Sequence, residues 1–301
     1  MDRESHDRRV SEAVRSATTR VVRAFYEACP FPDYDDLETV ADLVAKAQRG
    51  TLASLLDDQI PFRTRVLDVG CGTGQLVIYL SLATRHVVGF DVSLASLLLG
   101  RGFANKAALG RASFVQGDLF QPGLRPASFD YVIANGVLHH TADPAGALAS
   151  IAALAKPGGY VVAGFYNRYA RLPLRLRGVL FRLAGERWWA LDPVLRAGMA
   201  EVKRQSWFRD QYQHPCETSV TVDTALGWFD ACGLRFVSTL PQLDGAAPGR
   251  AQLFAPASAG TRLGRILRQL GWAFTIGREG GLFVIVGQRP QKEKNDVSVA
   301  A

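Results

Sequence analysis

Short apolar runs alternate with helix-patterned stretches along most of this 301-residue chain. The clearest run, Val66-Leu67-Asp68-Val69, is apolar on both faces apart from one acid, as a buried parallel strand would be. Similar runs lie at His86–Asp91, Ser113–Gln116, Phe129–Ala134, Tyr160–Phe165, Leu234–Leu240 and Gly281–Gly287. Between them, helical spacing covers Gln75–Leu82, Leu94–Ala104, a helix capped by Asp143-Pro144 and running through Leu154, Val222–Cys232 closed by Gly233, and Arg262–Leu270. Residues 8–28 and Leu37–Leu56 add helices ahead of the first strand, joined by an extended connector around Pro30 and Pro32. Strand and helix in alternation predict an α/β, doubly wound, seven-stranded and mostly parallel sheet.

One stretch breaks the alternation. From Asn167 to about Thr221 there are more than fifty residues where a handful would connect strand to helix. It follows a strand's carboxyl end, where open α/β sheets bind ligands, so it is placed to build a substrate pocket. The expected organisation is a helical lid segment at 1–60, a core at 61–166, a helical insertion (the substrate cap) at 167–221, the rest of the sheet at 222–290 and a disordered polar tail at 291–301.

Gly70, Gly72 and Gly74 turn the first strand into the following helix, a device that brings backbone N–H groups to a ligand. A dinucleotide fingerprint needs a glycine at position 75, where this chain has Gln75, and a phosphate loop would end in Lys and Ser or Thr. Asp91 ends the second strand 21 residues after Gly70, placed to accept hydrogen bonds from ribose hydroxyls or to cap the next helix. His139 and His140 follow the fourth strand and are candidate general bases or plain packing residues. Neighbours in an extended stretch point apart, so at most one is catalytic, and His140, farther into the loop, is favoured.

DVGCGTG, Asp68–Gly74, resembles the first motif of class I S-adenosylmethionine-dependent methyltransferases, and GDLF, NGVLHH and LAKPGGYVVAGFYN match later motifs in order through residue 165. The resemblance implies the Rossmann-like methyltransferase fold, S-adenosyl-L-methionine as cofactor and S-adenosyl-L-homocysteine as product. It implies cofactor contacts at Asp68, Gly70, Cys71, Gly72, Gly74, Gln75, Asp91, Val92, Gly117, Asp118, Leu119 and Asn135. Asp68 would lie near the cationic methionine end, Asp118 at the adenine amino group and Leu119 on the ring; a turn acid is the other reading of Asp118. The aromatic-proline segment FYEACPFPDY is similar to one that folds over the mouth of related enzymes, making Tyr26 and Tyr34 lid candidates or packing residues. Tyr166, Arg209, Asp210, Gln211, Tyr212 and His214 are further candidates for the substrate side, His214 alternatively a turn residue. Base-directed members carry Asn-Pro-Pro-aromatic where this chain has Asn135-Gly136-Val137-Leu138, which argues against methylation of base amino groups.

Composition sharpens the choice of acceptor. Up to residue 161 there are 16 basic against 17 acidic side chains; after it, 19 against 11. The excess of +7 thus belongs to the later half, which suggests an anionic partner or a solvated basic face. Four scattered cysteines give neither a zinc-site spacing nor a disulfide framework, so no metal is expected. The charged N-terminus lacks a secretion-signal core, and a cytoplasmic protein is expected. In the insertion, Leu172, Leu176, Val179 and Leu183 form one stripe, Arg171, Arg175 and Arg182 another, with Trp188 and Trp189 closing the segment. The expected arrangement is a cap helix packed through its leucines with solvated arginines; the alternative is peripheral membrane contact through 171–189. Together these features favour methyl transfer to O, N or C of an enclosed small molecule, such as a natural-product intermediate or lipid-like acceptor. RNA or protein reached through the basic half is the second reading, although a nucleic-acid partner is disfavoured. A non-enzymatic binding protein, the third, would have eroded the glycines and acids.

Overall fold

Val66, Leu67 and Val69 bury completely because both faces of their strand are covered. A computed structural model describes residues 3–32, 34, 37–184, 192, 195, 201–245, 251–276 and 280–291. The strands are β1 (Arg65–Val69), β2 (His86–Asp91), β3 (Ala112–Gln116), β4 (Phe129–Asn135), β5 (Ala155–Tyr166), β6 (Arg235–Leu240) and β7 (Leu282–Gln288). They form one sheet in the order β3-β2-β1-β4-β5-β7-β6. Pairings from β3 to β5 are parallel, and β7 runs antiparallel to both β5 and β6. The order reverses between β1 and β4, so a crevice opens beyond their carboxyl ends.

Side chains alternate across the sheet with the strand period of two. Leu67, Val132, Ala134, Val161, Ala163 and Ile285 face a core closed by α6 (Pro144–Ala152), α9 (Val222–Ala231) and Trp272 of α10 (Arg262–Trp272). Val66, Tyr131, Ile133, Val162, Val284 and Val286 face the other, closed by α2 (Val40–Arg49), α3 (Thr51–Gln59), α4 (Gln75–Ser81) and α5 (Leu94–Lys106). The first helix, α1 (Arg3–Ala28), touches α5 across the crevice's edge: Glu27 accepts from the amides of Leu94 and Ala95 at 2.8 and 3.0 Å, serving the N-terminus of α5. Among the described residues no helix is long and apolar enough to cross a membrane.

The structure corrects three expectations. The single helix over Leu37–Leu56 is two, α2 and α3, because Gly50 is extended (φ −85, ψ 115) and Thr39 with Asp42 forms a capping box that delays the start. The fifth strand, expected to begin at Tyr160, already includes Ala155–Gly159, and the β4–β5 register shifts there with Gly158 at φ +81. The third concerns α7 (Leu172–Ala184). Leu172, Leu176, Val179 and Leu183 are 48–81% exposed, whereas Leu174 and Phe181 turn inward and Arg171 is fully buried. The cap helix therefore packs through a face other than the expected leucine stripe. Arg171 goes in because the fold answers its donors: Gln211 Oε1 at 2.5 Å, the Gly280 carbonyl at 3.0 Å and the Glu217 carboxylate, with the guanidinium 3.7 Å over the Tyr166 ring. Trp188, Trp189 and the tail from 292 lie outside the described residues.

Candidate active site

The turn after β1 is cut to fit a close backbone approach. Gly70 and Gly72 sit at φ +66 and +52, and a Cβ on Gly72 would stand 2.2 Å from the Phe31 carbonyl oxygen. The connector after α1 thus lies directly on the glycine turn. Thr73 Oγ1 donates to the Pro32 carbonyl at 2.6 Å, and Tyr34 donates its hydroxyl to the Thr73 carbonyl at 2.8 Å, pinning it there. Asp91 closes the turn from the side, its two oxygens accepting from the Gly72 and Ser93 amides, each at 2.8 Å.

Beyond the turn lies a cavity of about 460 Å³, within the usual range for small-molecule sites. Asp68 to Gly72 and Gln75 form its floor, and Asp91, Val92, Ser96 and Gly117 to Phe120 one end. Thr18, Thr19, Val22, Tyr26, Phe31 and Pro32 form the roof. The far end is built by Asn135 to Val137, His140, Thr141, Tyr166, Trp207, Asp210, Gln211 and Leu282. Trp207, Asp210 and Gln211 come from α8 (Glu201–Tyr212), in the insertion. A hydrogen-bond chain stiffens this end: Tyr26 donates to Asp210 at 3.1 Å, and Gln211 Nε2 donates to Asp210 at 2.7 Å and to the Tyr166 hydroxyl at 3.0 Å. Roof and insertion are thereby tied together. The Trp207 indole N–H and the Asn135 side-chain oxygen are buried without partners in the fold, as groups waiting for a ligand would be.

Burial shapes the charges. Desolvation, with Asp91's charge second, pushes Asp68 up to about 8, and desolvation also raises Asp91 against the pull of its backbone donors. No described cation pairs with either acid, so the floor fits a ligand bringing a cation and hydroxyl donors. At the far end the rings of His140 and His214 lie 3.6 Å apart, and His139 sits 3.8 Å from Tyr166. Burial lowers all three imidazoles: His140 to about 4, His214 to about 3, and His139 well below its ordinary value, helped by His140. His140 Nδ1 lies 2.8 Å from the Cys216 carbonyl. A carbonyl only accepts, so Nδ1 carries the proton and Nε2 is the open acceptor.

These shifts set a pH optimum for stability. The imidazoles are depressed in the fold, so their contribution is whole above the unfolded value near 6.5 and is lost as pH falls toward 4. Asp68 is raised, so stability is lost as pH rises from 4 to 8. His140, His214 and Asp68 are each worth about 1.4 kcal/mol per pH unit within their windows, so the two imidazoles outweigh Asp68 below 6.5. Urea midpoints are expected to peak near pH 6.5 and fall on both sides, and Asp68→Asn is expected to flatten the alkaline fall. A midpoint that climbs steadily from pH 5 to 8 would contradict this assignment.

Of the residues assigned to the cofactor from sequence, all but Gly74 line the cavity; Gly74 is the left-handed cap of α4, packed against Phe114. Tyr26, Tyr166 and His140 also line it, whereas His139 lies behind under Tyr166. Tyr34 stacks on Phe103 outside it. Arg209 lies over the Phe25 ring, Tyr212 donates to Asp192, and His214 supports His140 from behind. Asp210 and Gln211, pocket candidates from sequence, line the cavity; Thr18 and Val22 were left unassigned, although with Tyr26 they recur every four residues on α1, as was Trp207, which sits on a helix with no apolar period.

Residues 67–163 match a family described as a methyltransferase domain. An uncharacterized protein of Synechococcus sp. is 26% identical over 257 residues, 75% of this chain and 61% of its own length. The ubiquinone biosynthesis O-methyltransferase of Bordetella bronchiseptica is 36% identical over 106 residues, 35% of this chain and 43% of that protein. The chain thus spans between 43% and 61% of the length of these curated relatives. Among solved structures, magnesium protoporphyrin IX methyltransferase from Synechocystis PCC 6803 with bound SAH shares the fold, with a TM-score of 0.53 and 17% identity over 90% of this chain and 99% of that one. Residues 67–163 thus form a methyltransferase domain, and the sheet order and glycine turn around it are those of a Rossmann-like methyltransferase fold.

Proposed function

We propose that the protein transfers a methyl group from S-adenosylmethionine to a hydroxyl oxygen of an enclosed, largely apolar small molecule. One observation carries this reading: His140, neutral and with Nδ1 engaged, lines the far end of the cavity with Nε2 left as an acceptor. A hydroxyl acceptor must lose its proton as its oxygen is methylated, and a neutral imidazole within reach can take it. S-adenosylmethionine supplies the electrophilic methyl on its sulfonium and leaves as S-adenosylhomocysteine. Asp68 would face its ammonium, Asp91 its ribose hydroxyls, and Asp118 with Leu119 its adenine. Tyr26, Phe31 and Pro32 roof the cavity and exclude water while the Tyr26–Asp210 bond holds roof and insertion together. The name of the Bordetella relative accords with oxygen as the acceptor.

RNA or protein as acceptor drew on the basic later half. Three of its arginines are committed within the fold, Arg171 to Glu217, Arg177 to Asp192 and Arg265 to Asp223, which weakens that reading. Incubating the protein with methyl-labelled S-adenosylmethionine and extract of its native host separates the two. Label is expected in the organic phase on solvent partition. Label that precipitates with RNA or protein would overturn the small-molecule reading.

A further inference from the structure

Helices α7 and α10 invert the usual amphipathic plan. On α10, Gln269 and Trp272 are buried and Arg265 pairs with Asp223, while Leu263, Leu267 and Leu270, with Phe274 in the turn just past its end, are 44–78% exposed. At about 100° per residue these four fall within roughly a 60° arc on the side opposite the buried face. On α7 the buried side is Leu174 and Phe181, and Leu172, Leu176, Val179, Leu180 and Leu183 are 47–81% exposed in one stripe opposite it. Nine large apolar side chains on two outward faces exceed what scattered surface leucines explain.

The faces have a consistent charge. Neither helix carries an acidic residue, and each carries three arginines. Arg175 and Arg182 flank the α7 stripe on one side, and Arg262 and Arg268 stand on either side of the α10 stripe, all four exposed. Like-charged rims argue against two copies meeting through these faces, whereas an apolar stripe between arginines fits the boundary of an anionic bilayer. The two helices also root together. Asn167 Nδ2 donates to Gln269 Oε1 at 2.9 Å, Arg171 Nη1 donates to the Gly280 carbonyl at 3.0 Å, and Tyr166 pairs with Leu282. Tyr166 and Leu282 line the cavity, so the start of α7 lies beside its far end.

We propose that α7 and α10 form a docking face by which the protein sits on an anionic lipid bilayer, leucines entering the acyl boundary and arginines meeting headgroup phosphates. The docking stands independently of the methyl-transfer reading; only the corollary that a lipid-like acceptor passes from bilayer to cavity rests on it. The test is flotation of the whole protein, without cofactor, on vesicles of phosphatidylcholine with and without about 30 mol% phosphatidylglycerol. The wild type is expected to float with the anionic vesicles, and Leu176→Glu with Leu183→Glu, or Leu263→Glu with Leu267→Glu, to cut the bound fraction about tenfold. These positions are exposed and away from the cavity, so the variants are expected to keep S-adenosylmethionine affinity by calorimetry, which reports folding separately from docking. A wild type that stays unbound on both vesicles overturns the proposal. So does flotation that survives both pairs of substitutions, or a wild-type dimer in light scattering that the same substitutions split.

Discussion

Asp91→Ala is expected to weaken S-adenosylmethionine binding by about 100-fold while leaving the protein folded. Hydrogen bonds to a charged group are worth about 1.5–3 kcal/mol each, and Asp91 loses them on two fronts. Its carboxylate holds the Gly72 and Ser93 amides, which fix the glycine turn and the start of α5, and lines the cavity where ribose hydroxyls are proposed to donate. Asp91→Asn is expected to do little better. Its amide has one acceptor where the carboxylate has two, and its NH2 would face a backbone N–H, donor against donor. Isothermal calorimetry with S-adenosylmethionine and S-adenosylhomocysteine measures both variants. Affinity unchanged within about twofold would show that the ligand lies elsewhere, since no placement in this turn avoids Asp91.

The sheet was legible in the chain because its strands are buried on both sides and its glycines need positive φ; those are local demands. The face a helix turns inward is not local. On α7 the leucines share one face as the helical wheel has them, but Arg171 is buried apart from the exposed Arg175 and Arg182, held by Glu217, Gln211 and Gly280, which lie 46, 40 and 109 residues away in sequence. The same limit applies at the cavity's far end. α8 has no apolar period, so its polar and aromatic residues read as pocket candidates as a group, and nothing in the pattern says that Trp207, Asp210 and Gln211 line the cavity while Arg209 and Tyr212 do not. The two adjacent histidines were separable in principle, though for a different reason than expected. They sit in a short 3₁₀ turn, Leu138–His140, not an extended stretch, and still diverge, His140 into the cavity and His139 beneath Tyr166.

The second large effect follows from that divergence. His140→Ala is expected to lower kcat about 100-fold, near the bottom of the range for general bases, with S-adenosylmethionine affinity unchanged. The low end is argued from burial. An imidazole lowered to about 4 is neutral and available at every pH where the fold persists, yet it is a weaker base than one poised near 7. For the same reason kcat is expected to show no ionisation near pH 6.5, the position where a solvated histidine base would place it. His139→Gln is the control: it removes an imidazole of the same cluster that does not line the cavity, and kcat is expected to hold within a few-fold. Labelled methyl transfer into the organic fraction, followed from pH 5.5 to 8 at saturating cofactor, reads both variants. If His140→Ala keeps the wild-type kcat, the acceptor is methylated through alignment alone, and the proton leaves by another route. If His139→Gln falls as far as His140→Ala, the effect belongs to the packing of the imidazole cluster, and His140 loses its claim as the base.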